Sequence, residues 1–319
     1  MNLRRYLIAA AIVALTGLSV EAREIMQKAP EHVLLWPEAV PGSGGPQGEN
    51  RATAWGAVSH VSTPELTVFP AHKPNGGAVL IVPGGGYRSI SVEGEGYSAA
   101  TWLNQRGYAA FVLTYRLPGE GWSDGPKVSV ADAQRALRVI RANAGVYGID
   151  KSRVGILGFS AGGHLAGLAA TRFADTFYQP LDKVDTLSDR PDWAALVYPV
   201  ITLEAPFTKT STHRQMVGRG SDPALESAWS VQTEVNGRMP PVFLVHAEDD
   251  PIANIRHSEI MAAACQAVKV PVDFVRLPTG GHGFAMGRPG TASMDWGKSF
   301  DQWLKRVDGT AVSMAARER

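Results

Sequence analysis

Short apolar blocks recur along the chain, separated by longer segments in which apolar and polar positions are mixed. Residues 66–69 (Leu-Thr-Val-Phe) and 77–82 (Gly-Ala-Val-Leu-Ile-Val) are β-rich runs, with the turn signal Pro74-Asn75-Gly76 between them. The second run holds no polar side chain, the pattern of a central strand covered on both faces. Similar blocks at 109–115, 154–157, 194–198, 242–246 and 272–277 predict further strands. Segments with helical character lie around 97–106, around 130–143 and about Cys265, and another comes near 296–307. Strands that alternate with helices predict an α/β fold, a mostly parallel central sheet with helices on both faces. Ligands of such a sheet gather at the carboxyl ends of its strands. The longest interval between strands, 202–239, suits a partial cover over that end and is too short for a large lid domain.

Charge and the amino end narrow the picture. Arg4 and Arg5 precede an uncharged run over 6–20, and Val20-Glu21-Ala22 fits a small-residue cleavage pattern. This reads as a signal peptide over 1–22, with 23–319 as a single catalytic domain that is exported, periplasmic or secreted. No second long hydrophobic stretch predicts a membrane span after cleavage. The stretch Pro41-Gly42-Ser43-Gly44-Gly45-Pro46 reads as an arm leading into the domain. The 31 basic and 30 acidic residues nearly cancel and form no basic block, so the footprint of a nucleic-acid partner is missing. A single cysteine, Cys265, closes no internal disulfide and reads as a buried thiol rather than a nucleophile.

The candidate chemistry centres on Gly158-Phe159-Ser160-Ala161-Gly162, placed directly after the apolar block 154–157 and directly before a small-residue helical segment. A serine hydroxyl is a poor nucleophile at neutral pH, so it must meet an incoming carbonyl and a histidine base together. A sharp strand-to-helix turn presents it to both, strains the serine backbone and leaves no room for side chains at Gly158 and Gly162. Two later segments supply partners: His246-Ala247-Glu248-Asp249-Asp250-Pro251 at the end of a strand, and Gly280-Gly281-His282-Gly283-Phe284 in the loop after the next. The order Ser, Asp, His is that of an α/β-hydrolase triad. It predicts Ser160 as nucleophile, His282 as base and Asp250 as the orienting carboxylate. Asp250 is preferred to Asp249 because it stands directly before Pro251, where the strand has ended. Pro83-Gly84-Gly85-Gly86-Tyr87 follows the central strand, and Gly85 and Gly86 join the Ala161 N–H as expected oxyanion donors. His164 and His246 read as packing or supporting residues. Tyr87, Trp55 and Trp122 stay unassigned between the core and a sugar-binding surface. No metal or cofactor spacing is recognisable.

These residues resemble the esterase branch of the α/β-hydrolase superfamily, notably small exported acetyl esterases of the acetylxylan-esterase-like kind. The resemblance is carried by Leu35-Trp36-Pro37-Glu38-Ala39-Val40-Pro41-Gly42, Val82 to Tyr87, Glu93-Gly94-Glu95-Gly96, Trp102-Leu103-Asn104, Tyr115-Arg116-Leu117, Gly158 to Gly163, His246 to Pro251 and Gly281-His282-Gly283-Phe284. It implies hydrolysis of short acyl esters, typically acetyl groups on cell-wall polysaccharide such as xylan or xyloglucan, through an acyl-serine and without metal or organic cofactor. One departure is Pro83, which stands where many lipases and esterases open the oxyanion loop with histidine. Other readings stay open at this point: a metal-dependent deacetylase using Asp249, Asp250 and a histidine, a peptidase or longer-chain lipase of the same fold, and a non-catalytic carbohydrate-binding module.

Overall fold

The computed structural model describes residues 31–220 and 222–317, and the expected signal peptide lies outside them. The strands are β1 (Glu31–Leu34), β2 (Arg51–Ala52), β3 (Val58–Ser59), β4 (Glu65–Phe69), β5 (Ala78–Val82), β6 (Ala109–Thr114), β7 (Val154–Phe159), β8 (Ala194–Val197), β9 (Val242–Ala247) and β10 (Val272–Leu277). The helices are α1 (Ser98–Asn104), α2 (Lys127–Ala142), α3 (Ala144–Tyr147), α4 (Ala161–Thr171), α5 (Ser211–Met216), α6 (Pro223–Ala228), α7 (Arg256–Ala267) and α8 (Trp296–Arg317). Eight strands form one sheet in the order β1-β4-β6-β5-β7-β8-β9-β10, while β2 and β3 make a separate hairpin. From β6 to β10 every neighbouring pair is parallel, and β4 runs antiparallel to β6. The mostly parallel α/β sheet predicted from the alternating blocks is thus the observed one.

The side-chain period of two explains why β5 is apolar throughout. Ala78, Leu80 and Val82 point into one core with Phe111, Ile156 and helices α2 and α4, while Val79 and Ile81 join Val112, Leu157 and Trp193 beneath α1 and α8. A strand buried on both faces has no position at which a polar side chain meets water. The Pro74-Asn75-Gly76 turn does not join neighbouring strands, because β6 lies between β4 and β5. Asn75 instead accepts from the Gly77 N–H at 2.6 Å and ties its own N–H and side-chain amide to the carbonyls of Gly107 and Arg106, in the connection that feeds β6.

The segment 35–46, which holds the expected arm Pro41–Pro46, is latched to this body by a buried ion pair. Asp132, on α2, accepts from the Arg116 guanidinium at 2.7 Å, from the Arg116 backbone N–H at 2.9 Å and from the Trp36 indole N–H at 2.9 Å. Arg116 donates in turn to the Pro41 carbonyl, and its guanidinium lies over the Trp122 ring at 5.1 Å. Both charged side chains are fully buried. Removing one partner from such a pair leaves an uncompensated charge in a low-dielectric interior. Asp132→Ala is therefore expected to lower the unfolding free energy by about 3–5 kcal/mol, read from denaturant titration. A loss below about 1 kcal/mol, the range of ordinary surface changes, would show that the pair does not hold the arm.

Candidate active site

Ser160 joins β7 to α4 with φ 51° and ψ −117°, a left-handed conformation that an L-residue adopts only when its surroundings enforce it. Its N–H donates to the Val197 carbonyl at 3.0 Å, and its own carbonyl accepts from His164 and Val200. The approach is as tight as the flanking glycines suggest. A Cβ on Gly158 would stand 2.3 Å from the Gly162 carbonyl oxygen, and one on Gly162 would stand 2.1 Å from the Val82 carbonyl oxygen.

The loop after β10 brings His282 to this turn. Its Nε2 lies 2.8 Å from Ser160 Oγ, and its Nδ1 lies 2.7 Å from Asp250 Oδ2. An ionised carboxylate only accepts, so Nδ1 carries the proton and Nε2 is left free to accept from the serine hydroxyl. Burial alone would raise the Asp250 carboxyl. Hydrogen bonds from His246 and His282, the electrostatic pull of the His282 imidazole and the Ile252 N–H outweigh it and hold Asp250 well below the usual carboxylate range. The neighbouring Asp249 turns the other way and accepts from the N–H groups of Gly280 and Gly281 at 2.9 and 2.8 Å, which shapes the histidine loop. Arg288 clamps the same loop through the carbonyls of Gly280 and His282. The two carboxylates available to a metal-dependent reading are thus turned apart. Among the described residues no three His, Cys, Asp or Glu side chains are grouped to hold a metal ion.

The glycine loop after β5 completes the cluster. Tyr115 donates its hydroxyl to the Pro83 carbonyl at 2.9 Å, and the Gly85 carbonyl accepts from Arg88 and Ser89. Gly85 sits at φ 127°, and a Cβ there would stand 2.1 Å from the Ser89 carbonyl oxygen. Among the described residues the N–H groups of Gly85 and Gly86 have no backbone acceptor, and the Ala161 N–H begins α4, where no intrahelical acceptor exists. Gly85 and Gly86 line the open cleft of about 620 Å³ together with Ser160 and His282, and Ala161 directly follows the serine. The 202–239 interval contributes Thr210, Ser211 and Thr212 to one wall, with Ser211 donating to the Gly86 carbonyl at 2.8 Å. The interval thus covers part of the cleft, as expected, with the N-terminal end of α5.

The remaining candidates separate by burial. His164 is fully buried, with its Nε2 2.7 Å from the Trp229 carbonyl and its Nδ1 3.0 Å from the Tyr87 hydroxyl, and burial pulls its pKa down to about 4. It packs behind the serine. His246 supports Asp250 directly: its Nε2 faces Asp250 Oδ2 and the Ala253 carbonyl, so that nitrogen bears the proton while Nδ1 accepts from Ser258. Burial pushes the Cys265 thiol up to about 12, which keeps it protonated and inert. Tyr87 and Trp122 are core, whereas Trp55 is 92% exposed at the tip of the β2–β3 hairpin. Glu95, Tyr198 and Arg288 enter the site without a role assigned from sequence. In the sequence, Glu95 stands in the family-like segment Glu93-Gly94-Glu95-Gly96 and Tyr198 ends a predicted strand.

The BD-FAE family profile matches residues 68–265. An acetylxylan esterase of Xylanibacter ruminicola is 31% identical over 256 residues, covering 79% of this chain and 48% of that protein. An endo-1,4-beta-xylanase B of Butyrivibrio fibrisolvens is 34% identical over 208 residues, 65% of this chain and 32% of the relative. The chain thus spans half or less of the length of these two curated relatives. Among solved structures, the acetyl ester-xyloside bifunctional hydrolase from Caldicellulosiruptor lactoaceticus is 30% identical with a TM-score of 0.72, over 88% of this chain and 97% of that one. A carboxylesterase from Lactobacillus plantarum at 22% identity and a TM-score of 0.63, over 82% of this chain and 97% of that one, shares the fold. With its mostly parallel sheet, its strand-to-helix serine turn and a profile match running from β4 into α7, the chain belongs to the BD-FAE family, on the α/β-hydrolase fold.

Proposed function

We propose that this protein is a serine carboxylesterase that removes acetyl groups from plant cell-wall carbohydrate through an acyl-serine intermediate. The observation that carries the reading is the unbroken hydrogen-bond chain from Ser160 through His282 to Asp250, opening onto a cleft beside unpartnered backbone N–H groups. Ser160 Oγ attacks the ester carbonyl carbon while His282 Nε2 takes its proton, and Asp250 stabilises the imidazolium that results. Negative charge collects on the former carbonyl oxygen, where the N–H groups of Gly85, Gly86 and Ala161 receive it. Each such donor supports the transition state by roughly 3 kcal/mol, so the backbone loop matters as much as the side chains. Collapse of this intermediate breaks the bond to the sugar oxygen, which leaves with the proton from His282. Water, deprotonated by the same histidine, then attacks the acyl-serine, and acetate departs.

Carbohydrate as the alcohol is supported by the xylan-related names of the relatives and by a cleft whose walls carry hydroxyl side chains such as Ser59, Ser91 and Thr210. Openness matters to the chemistry, because a bulky sugar must leave and water must enter before the acyl group is released.

Three measurements test the reading. Ser160→Ala is expected to lower p-nitrophenyl acetate turnover by about 10⁴-fold or more and to abolish covalent labelling by a fluorophosphonate; near-normal turnover would sink the proposal. The second is pH. His282 acts as base only when neutral, so kcat should fall as the solution is acidified and the imidazole takes up a proton. Asp250, with its folded value depressed, adds no separate step near pH ~4; the stability its contacts lend is complete above the unfolded value of about 3.9 and fades only as pH falls below it. A flat profile from about pH 8 to about pH 4 contradicts a histidine base. Third, acetylated xylan or xyloglucan, followed by released acetate, should be hydrolysed in preference to tributyrin, followed by released butyrate, or to a peptide, and the reverse preference points to a lipase or peptidase.

A further inference from the structure

Glu95 is a buried carboxyl on a turn of wide, π-type helix, Val92–Tyr97, that runs straight into α1. Its backbone N–H and that of Gly96 both reach the Ser91 carbonyl, so the helix takes up one extra residue there, a geometry often found at functional sites. In the same segment Glu93 is exposed and Glu95 is turned inward. Its Oε2 accepts from the Gly84 N–H at 2.6 Å, and its Oε1 accepts from the Tyr198 hydroxyl at 2.9 Å. Gly84 directly precedes the two glycines whose N–H groups face the cleft. Tyr198 directly follows β8, accepts from the Ala285 N–H at 3.0 Å, and sets its ring edge-on to His282 with centroids 4.9 Å apart.

We propose that Glu95 is a positioning residue for ester hydrolysis, one oxygen holding the oxyanion loop and the other, through Tyr198, holding the histidine loop, so that donors and base stay in register. This rests on the roles given above to Ser160, His282 and the glycine loop. The two loops come from opposite sides of β7, and among the described residues no direct hydrogen bond joins Gly84, Gly85 or Gly86 to residues 280–285. Both of Glu95's partners present hydrogens, which calls for an acceptor at each oxygen. A carboxylate supplies two, and a glutamine amide only one. No lysine or arginine pairs with Glu95 among the described residues, so the carboxyl sits in the interior without the cation that normally offsets its burial. Burial pushes it up from the ordinary carboxylate value, against the pull of the Gly84 N–H, the Tyr198 hydroxyl and the His282 imidazole. A group so costly to bury is better explained by the geometry it holds than by its own stability.

The test is turnover of p-nitrophenyl acetate per active site, with sites counted by fluorophosphonate titration. Glu95→Ala is expected to lower kcat by about 10- to 100-fold with KM changed by less than about threefold, since small misplacements of reacting groups cost that much. Glu95→Gln, keeping one acceptor, should recover part of the loss. Tyr198→Phe, which keeps the ring against His282 and loses the hydroxyl, should lower kcat as well. The loss in Glu95→Gln/Tyr198→Phe should be smaller than the product of the single losses, because both act in one relay. Should Glu95→Ala fail to fold, the glutamine and Tyr198 variants carry the comparison alone. Unchanged kcat per titrated site, an effect on KM alone, or fully independent losses would overturn the relay. Ser160→Ala run beside them separates the two failures: an active Ser160→Ala overturns the esterase reading itself, while an inactive one with normal Glu95 variants overturns only the role of Glu95.

Discussion

Everything at the site depends on one backbone conformation, the left-handed turn at Ser160. Holding a non-glycine residue at φ 51° costs of order 1–3 kcal/mol, which the surrounding packing must overcome. It does so by three backbone hydrogen bonds to the serine and by the close stacking of Gly158 and Gly162 against each other and against the end of β5. Because the sheet is buried on both faces, neither β7 nor α4 can slide to relieve the strain. The serine hydroxyl is therefore raised above the sheet at a fixed height, and the other groups need only be brought to it.

They arrive by a common route. The glycine loop follows β5, Ser160 follows β7, Tyr198 follows β8, Asp250 comes after β9 and His282 after β10, all at carboxyl ends of parallel strands. Parallel strands with helical crossovers deliver every such end to the same edge, so residues far apart in the chain meet without any segment having to reach across the molecule. Polar groups gathered there are tightly satisfied: Asp250 receives two histidines and two backbone N–H groups, and Asp249 fastens the loop that carries the base. In a low-dielectric setting such satisfaction keeps a carboxylate ionised and an imidazole in one tautomer.

The opposite end of the chain shows the same principle used for stability alone. Arg116 and Asp132 are wholly buried, and their attachment to Trp36 and Pro41 draws a glycine-rich arm onto the body. The one cysteine, Cys265, forms no disulfide, and the buried latch holds the arm together with the pairings of Ser43 with Ser123 and of Gly45 with Gly121. The segment over 202–239 meets the oxyanion loop through the Ser211 hydroxyl, which donates to the Gly86 carbonyl at the wall of the cleft.

The sequence by itself determined the strand and helix blocks, the serine turn, the glycine loop and the order of the three polar segments, because each depends on residues within a few positions of one another: apolar period, turn chemistry, the absence of a Cβ. Its preference for Asp250 over Asp249 rested on the place of Asp250 directly before Pro251, and the structure turns Asp250 toward His282 and Asp249 toward the backbone of the histidine loop. What only the tertiary structure decided are pairings across long separations. The placement of β6 between β4 and β5, the union of Trp36 with Asp132 96 residues away, and the link from Tyr198 to Glu95 across 103 residues leave no local periodicity to read. A buried glutamate and an exposed one two residues earlier look alike in sequence. Their difference is created when the sheet closes over one of them, and the free energy that decides it belongs to contacts the local chain does not contain.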